Sequence, residues 1–360
     1  FMGDNSPVMM SVSSISYIRD LYNAGLAADI SGYIAEDSDF YKTYDYVQDA
    51  FYYGDAIIGF PEKLEVPLLG FFNDSLIEAG YDPNNFTCET WDDYYEIAEK
   101  MNTDSCSGSS LYVYEYYLWP NNWFLSNGAE PAIQNDDGTI TLDFTNEGVL
   151  QTIDFFRRLY LNGLTNSNIN YTNIADMLTL IYNKKVASFT LYPNWLSRLL
   201  PYDIQPSDIT LIPYPTGPSG NNESSVIVSG TVFNAQKSPE ELKAAVVYAE
   251  YMNGEDSCGD FASFCEENDI VQFSIPPYSS IDWSAGLKEN GIPDSWINST
   301  NVALENGFIT KLHSTAFTTY LTTQFAGIIR EEDADIVGTL ADAQDTATRE
   351  WLEDFNTYLN

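Results

Sequence analysis

One histidine, His313, and four cysteines, Cys88, Cys106, Cys258 and Cys265, are all that 360 residues offer as soft metal ligands. The closest cysteine pair is C-x6-C with no histidine beside it, so the ligand spacing of a zinc site is absent and no metal is expected. Two local disulfides, Cys88–Cys106 and Cys258–Cys265, or four free thiols fit these positions equally. Basic residues are also scarce, with 15 Lys plus Arg against 53 Asp plus Glu and a formal net charge of −38. That field disfavours nucleic acid and anionic membrane surfaces as partners. No apolar run approaches the roughly 20 residues that span a bilayer. The opening "FMGDNSPVMMSV" lacks the basic-then-apolar order of a signal peptide. A Gly-rich phosphate loop, a G-x-S-x-G elbow and an H-E-x-x-H helix are missing too, and no cofactor is expected.

What is present is apolar and aromatic. The chain is 44% hydrophobic and longer than one core usually supports, so two lobes are the default expectation. Its 26 Tyr, 20 Phe and 7 Trp exceed what a core needs and can furnish a stacking surface. "SPVMMSVSSISYIRDLYNAG" predicts a buried strand over Val8–Val12, a serine turn and a helix stopped by Gly25. "AIIGF" and "VPLLGFF" are extended apolar runs separated by "PEKLE". "TWDDYYEIAEKM" predicts a helix over Trp91–Met101 capped by Thr90, and "SPEELKAAVVYAEYMNG" a helix with a capping box at Ser238 and a stop at Gly254. Strands and helices alternate along the whole chain without a short repeat, which predicts α/β layers rather than a bundle or sandwich.

The order of these segments resembles the extracellular solute-binding proteins of carbohydrate ABC importers, the broad family that includes maltose-binding protein. The carrying segments are "IIGFPEKLEVPLLGFFNDSLIEAGYDP" with "TWDDYYEIAEKM", then "WFLSNGAE", "VASFTLYPNW", "ITLIPYPTGPSG", "VSGTVFNAQKSPEELKAAVVYAEYM" and "IVGTLADAQDTA". The resemblance implies a two-lobed, periplasmic-binding-protein-like fold of type II with a ligand cleft between the lobes. The first lobe is expected over 1–66 and 231–290, the second over 67–226 and 291–360. Family members open with a strand, helix and strand before the position of Phe1, so the chain is expected to start late, leaving the Val8–Val12 strand short of a neighbour.

A sugar ring offers a face of C–H groups and an equator of hydroxyls, which calls for flat aromatics and planar polar groups. "WPNNW" supplies Trp119 and Trp123 around Asn121 and Asn122, and the paired amides beside Pro120 suit a core poorly. In the resemblance, "PEKLEVPLL" is a hinge crossing that leaves the first lobe near Pro61 and enters the second by about Leu68. It makes Glu65 a cleft acid, where the plainer reading is a solvated hinge residue. The same resemblance places Trp195 of "LYPNWLS" in the cleft, against core packing as the bland alternative. Ser13, Ser14, Ser16 and Tyr17 follow the first strand, where a simple helix cap would account for one serine. Ser229, Gly230 and Thr231 are expected at a second crossing, with Phe317 and Tyr320 ahead of the last helices. The implied function is binding of a neutral mono- or oligosaccharide, delivered by hinge closure to a transmembrane ABC permease. The chain would act as a monomer outside the cell, tethered as a lipoprotein or periplasmic, without catalysis. A polyamine or other cationic solute is the alternative ligand, and a carbohydrate-active enzyme the alternative class, since 53 acids supply carboxylate pairs at many spacings.

Overall fold

Apolar strands that alternate with capped amphipathic helices build two separate three-stranded sheets, with three two-stranded ribbons beside them among the described residues. The computed structural model describes residues 3, 6–113, 120–135, 139–170, 173–271, 273–284, 287, 289–311 and 315–352, without the side chains of 120, 134, 315–318 and 351. The chain opens with β1 (Met9–Val12), α1 (Ile15–Asn23) and α2 (Asp45–Phe51), and reaches β2 (Phe60–Glu65). There follow β3 (Leu68–Phe72), α3 (Asn73–Glu78), α4 (Trp91–Met101), α5 (Pro120–Leu125) and α6 (Glu147–Leu161). Next come β4 (Ser188–Leu191), β5 (Ile209–Ile212), β6 (Ser224–Ser225) and β7 (Ile227–Phe233). The chain continues through α7 (Pro239–Asn253), α8 (Glu255–Glu267), α9 (Asp294–Glu305), β8 (Gly307–Phe308), α10 (Thr315–Arg330) and α11 (Ile336–Ala347).

The first sheet runs β1–β7–β2 and the second β4–β3–β5, all pairs antiparallel. β2 stays paired with β7 through Glu65, opposite Ile227, and β3 begins pairing in the second sheet at Leu68. The passage between sheets is therefore Val66 and Pro67, shorter than the Pro61-to-Leu68 crossing expected. Pro61 lies where the β2–β7 register shifts, opposite Gly230, and a residue without an N–H is tolerated at such an irregularity on an outer strand. β1 is the other outer strand. Its residues are half-buried with Ser11 exposed, so the strand is not the fully buried one that its apolar letters suggested.

Ser229, Gly230 and Thr231 lie inside β7, paired with β1 and β2, and the second passage comes earlier, at Val226 between β6 and β7. Gly230 is required by packing. A Cβ there would sit 2.6 Å from the Phe51 ring of α2 and 2.8 Å from the Phe60 carbonyl oxygen. A third connection carries Ile275, bridged to Leu64, toward α9, which packs on β3 and β5. α4 starts with the capping box its sequence predicts: Thr90 Oγ1 accepts from Asp93 N at 3.2 Å, and Asp93 Oδ2 accepts from Thr90 N at 2.9 Å. α7 repeats the device with Ser238 and Glu241. All four cysteines are free. Cys258 and Cys265 are both on α8, two helical turns or about 10 Å apart, beyond disulfide reach. Among the described residues, no helix is long and apolar enough to cross a membrane.

Candidate functional site

A cleft of about 380 Å³ opens between β2 of the first sheet and the turn that follows β4 of the second. β2 contributes Lys63, and the turn after β4 contributes Asn194, Leu196, Ser197 and Leu200. The third connection closes the cleft with Val271, Phe273 and Ser274. Lys63 and Glu65 are two residues apart on one strand and so share a face, with Lys63 Nζ 3.7 Å from Glu65 Oε1. Both are partly open to solvent, and such a pair adds little stability. Asn194 Oδ1 is buried without a hydrogen-bond partner, a spare acceptor beside the cleft.

Trp195 adjoins this lining residue. Its ring meets Tyr192 at 4.5 Å, the Arg198 guanidinium lies 5.3 Å over it, and 7% of the residue is exposed. Trp123 has a different setting. Within α5 it is 2% exposed, and its ring packs against Tyr94 at 4.9 Å, Tyr214 at 5.1 Å and Phe155 at 5.3 Å. Asn121 and Asn122 are fully buried beside it, against the expectation that paired amides avoid a core. The reason is polar company: Asn121 Nδ2 donates to Ser225 Oγ at 3.2 Å and Thr310 Oγ1 at 2.9 Å, while Asn122 Oδ1 accepts from Ser225 N at 3.0 Å. Trp119 and His313 lie outside the described residues, as does the side chain of Phe317 in α10.

Ser14 caps α1 by accepting from Ser16 N at 3.2 Å, and the two hydroxyl oxygens are 2.5 Å apart. Both are buried, so capping occupies two of the serines, while Ser13 and Tyr17 are exposed. Ser229 Oγ donates to Lys63 O at 3.4 Å, and Thr231 Oγ1 to Glu62 Oε1 at 2.5 Å. Ser11 donates to the other Glu62 oxygen at 2.6 Å, so this carboxylate ties together all three strands of the first sheet. Tyr320 donates its hydroxyl to Ala343 O at 3.0 Å, joining α10 to α11. Of the expected residues, Glu65 and Trp195 stand beside the cleft; Ser14, Ser16, Ser229, Gly230, Thr231, Trp123, Asn121 and Asn122 are held in a cap, a strand or the core, Tyr320 ties two helices together, and Tyr17 is exposed on α1. Sequence reasoning missed Lys63, Asn194, Ser197, Phe273 and Ser274. The i, i+2 spacing to Glu65 could have flagged Lys63, and adjacency to Trp195 could have flagged Asn194, whereas nothing in "QFSIPP" marks Phe273 or Ser274.

Two three-stranded sheets joined by short passages, with a cleft lined from both sides, define the class of two-lobed binding proteins. Residues 2–257 match the family described as bacterial extracellular solute-binding protein, and the chain belongs to that family. No curated protein sequence matches it. Among solved structures it is similar to an oligosaccharide periplasmic-binding protein from Synechococcus sp. MITs9220, at 15% identity and a TM-score of 0.75, covering 99% of this chain and 87% of that one. A cyclo/maltodextrin-binding protein complexed with maltotetraose aligns at 15% identity and TM-score 0.73, over 96% and 83% of the two chains. An ABC substrate-binding protein from Listeria monocytogenes in complex with cycloalternan aligns at 15% identity and TM-score 0.72, over 96% and 85%.

Proposed function

We propose that the cleft binds a neutral mono- or oligosaccharide and that the chain delivers it to a transmembrane ABC permease, acting as a monomer and without turnover. The observation that carries this reading is the lining itself. Four polar side chains, Lys63, Asn194, Ser197 and Ser274, alternate with Leu196, Leu200, Val271 and Phe273, matching the mixed hydroxyl and C–H surface of a sugar. Lys63, the one charged group among the described lining residues, pairs with the neighbouring Glu65 at 3.7 Å, so the local charge is balanced and gives a polyamine no net attraction. Similar folds complexed with maltotetraose and cycloalternan support the saccharide class. Lobes over 1–66 with 231–290, and 67–226 with 291–360, would close on the ligand about the passage at Val66 and Pro67. Trp195 and Trp119 are the aromatic faces proposed for the ring, with Glu65 as a hydroxyl acceptor. A place outside the cell, tethered as a lipoprotein or periplasmic, completes the proposal.

A thermal-shift screen over neutral saccharides and spermidine tests it. A cleft ligand at a hundred times its dissociation constant stabilises by about 2.7 kcal/mol. At least one saccharide should raise the melting temperature, and Asn194→Ala and Trp195→Ala should reduce that shift. Stabilisation by spermidine alone, or by none of the panel, overturns the reading.

A further inference from the structure

The polar cluster at the second passage is unused by the cleft chemistry. β6 and β8 form a parallel two-stranded ribbon, Ser224 opposite Gly307 and Ser225 opposite Phe308, and one residue later the chain enters β7 of the first sheet. α5 grips the ribbon through the buried amides of Asn121 and Asn122, as described above. From the other side, the Tyr46 ring of α2 lies so close to Gly307 that a Cβ there would come within 2.5 Å of Cζ. α2, which packs on β2 of the first sheet, and α5 thus meet on two short strands.

Glu130 completes this cluster. Its Oε2 accepts a long hydrogen bond from Thr310 Oγ1 at 3.4 Å, and Thr310 in turn accepts from Asn121. Asn121 Oδ1 is buried with no partner, so the cluster is short of a donor. Among the described residues, the charged groups facing Glu130 are Glu223 ahead of β6 and Lys311 after β8, while α5 presents the amides of Asn121 and Asn122. Burial pushes the Glu130 carboxyl up to about 7, Glu223 adds to the rise, and Thr310 and Lys311 oppose it.

We propose that Glu130 makes the second passage responsive to pH: its acid form holds ribbon and α5 together, and its carboxylate loosens them. Protonation removes a half-buried charge facing Glu223 and places an O–H beside a cluster with an orphan acceptor. The sign follows from the raised folded-state value. The native chain binds the proton more tightly than the unfolded one, so this contribution is full below the ordinary carboxyl range and is lost as pH rises toward about 7. The inference concerns the connector and does not depend on the solute.

Hydrogen exchange of the Ser224–Ile227 amides, corrected for intrinsic pH dependence, reads it directly in the full chain. Protection should fall at least about tenfold between pH 5 and pH 8, the change that one unit of displaced pKa supports. Glu130→Gln should keep the low-pH protection at pH 8. Glu223→Gln, which removes the facing charge, should move the transition to lower pH, and it decides the matter if the first variant folds poorly. A parent profile flat across this range, the same profile in Glu130→Gln, or an unmoved midpoint in Glu223→Gln overturns the proposal.

Discussion

Trp123 and Trp195 show why one letter supports two fates. Trp123 lies within α5 and Trp195 just ahead of a short helix, and both stand beside asparagine, yet of the two only Trp195 adjoins the cleft. Trp123 instead centres a cluster that also holds Trp91, whose ring centroid is 5.9 Å away. The aromatic surplus in the composition was legible, but its division between core and site was not, because burial depends on partners distant in sequence such as Tyr214 and Phe155. The two asparagines failed the burial argument for the same reason, since Ser225 and Thr310 lie far along the chain. At this scale Trp123→Ala should cost about 3–5 kcal/mol in denaturant unfolding, as large aromatic truncations in cores do. A loss under about 1 kcal/mol, with saccharide binding abolished, would return Trp123 to the ligand site.

Elements were the most legible level wherever a local signal fixed them. The helix over Trp91–Met101 falls where its capping box and apolar spacing put it, and Gly25 takes the left-handed φ of +68° that ends a helix. The short strands were harder. β6 and β8 have two residues each, which carry no periodicity, and the place of Ser229–Thr231 within β7 follows from pairing with β1 and β2. Thr90→Ala should cost about 1 kcal/mol at neutral pH. The hydrogen bonds from Thr90 hold the Asp93 carboxyl below its usual range. That part of the stability is present above the unfolded value of 3.8 and is lost as pH falls through the lower folded one, so the deficit should narrow in acid. Denaturant melts of parent and variant at both pH values check this. Gly230→Ala should cost more, at least about 1–3 kcal/mol, because its Cβ meets the Phe51 ring and the Phe60 carbonyl.

Across the whole molecule, the sequence order carried the two-lobed architecture, and at Val66 and Pro67, just after "PEKLE", one sheet ends and another begins. Two walls of the cleft had a sequence signal beside them, at Glu65 on the first sheet and at Trp195 after β4, whereas Phe273 and Ser274 arrive on a connection with no motif. The net charge of −38 is spread over a surface screened within about 8 Å at physiological ionic strength, so it should matter little to a neutral solute. Calorimetric titration of the best saccharide from the screen, at low and at high salt, tests the central claim most directly. The predicted result is one saturable site per chain with nearly the same affinity at both salt concentrations and no continuing heat after saturation. Sustained heat from turnover, or an affinity that collapses as salt rises, would contradict it.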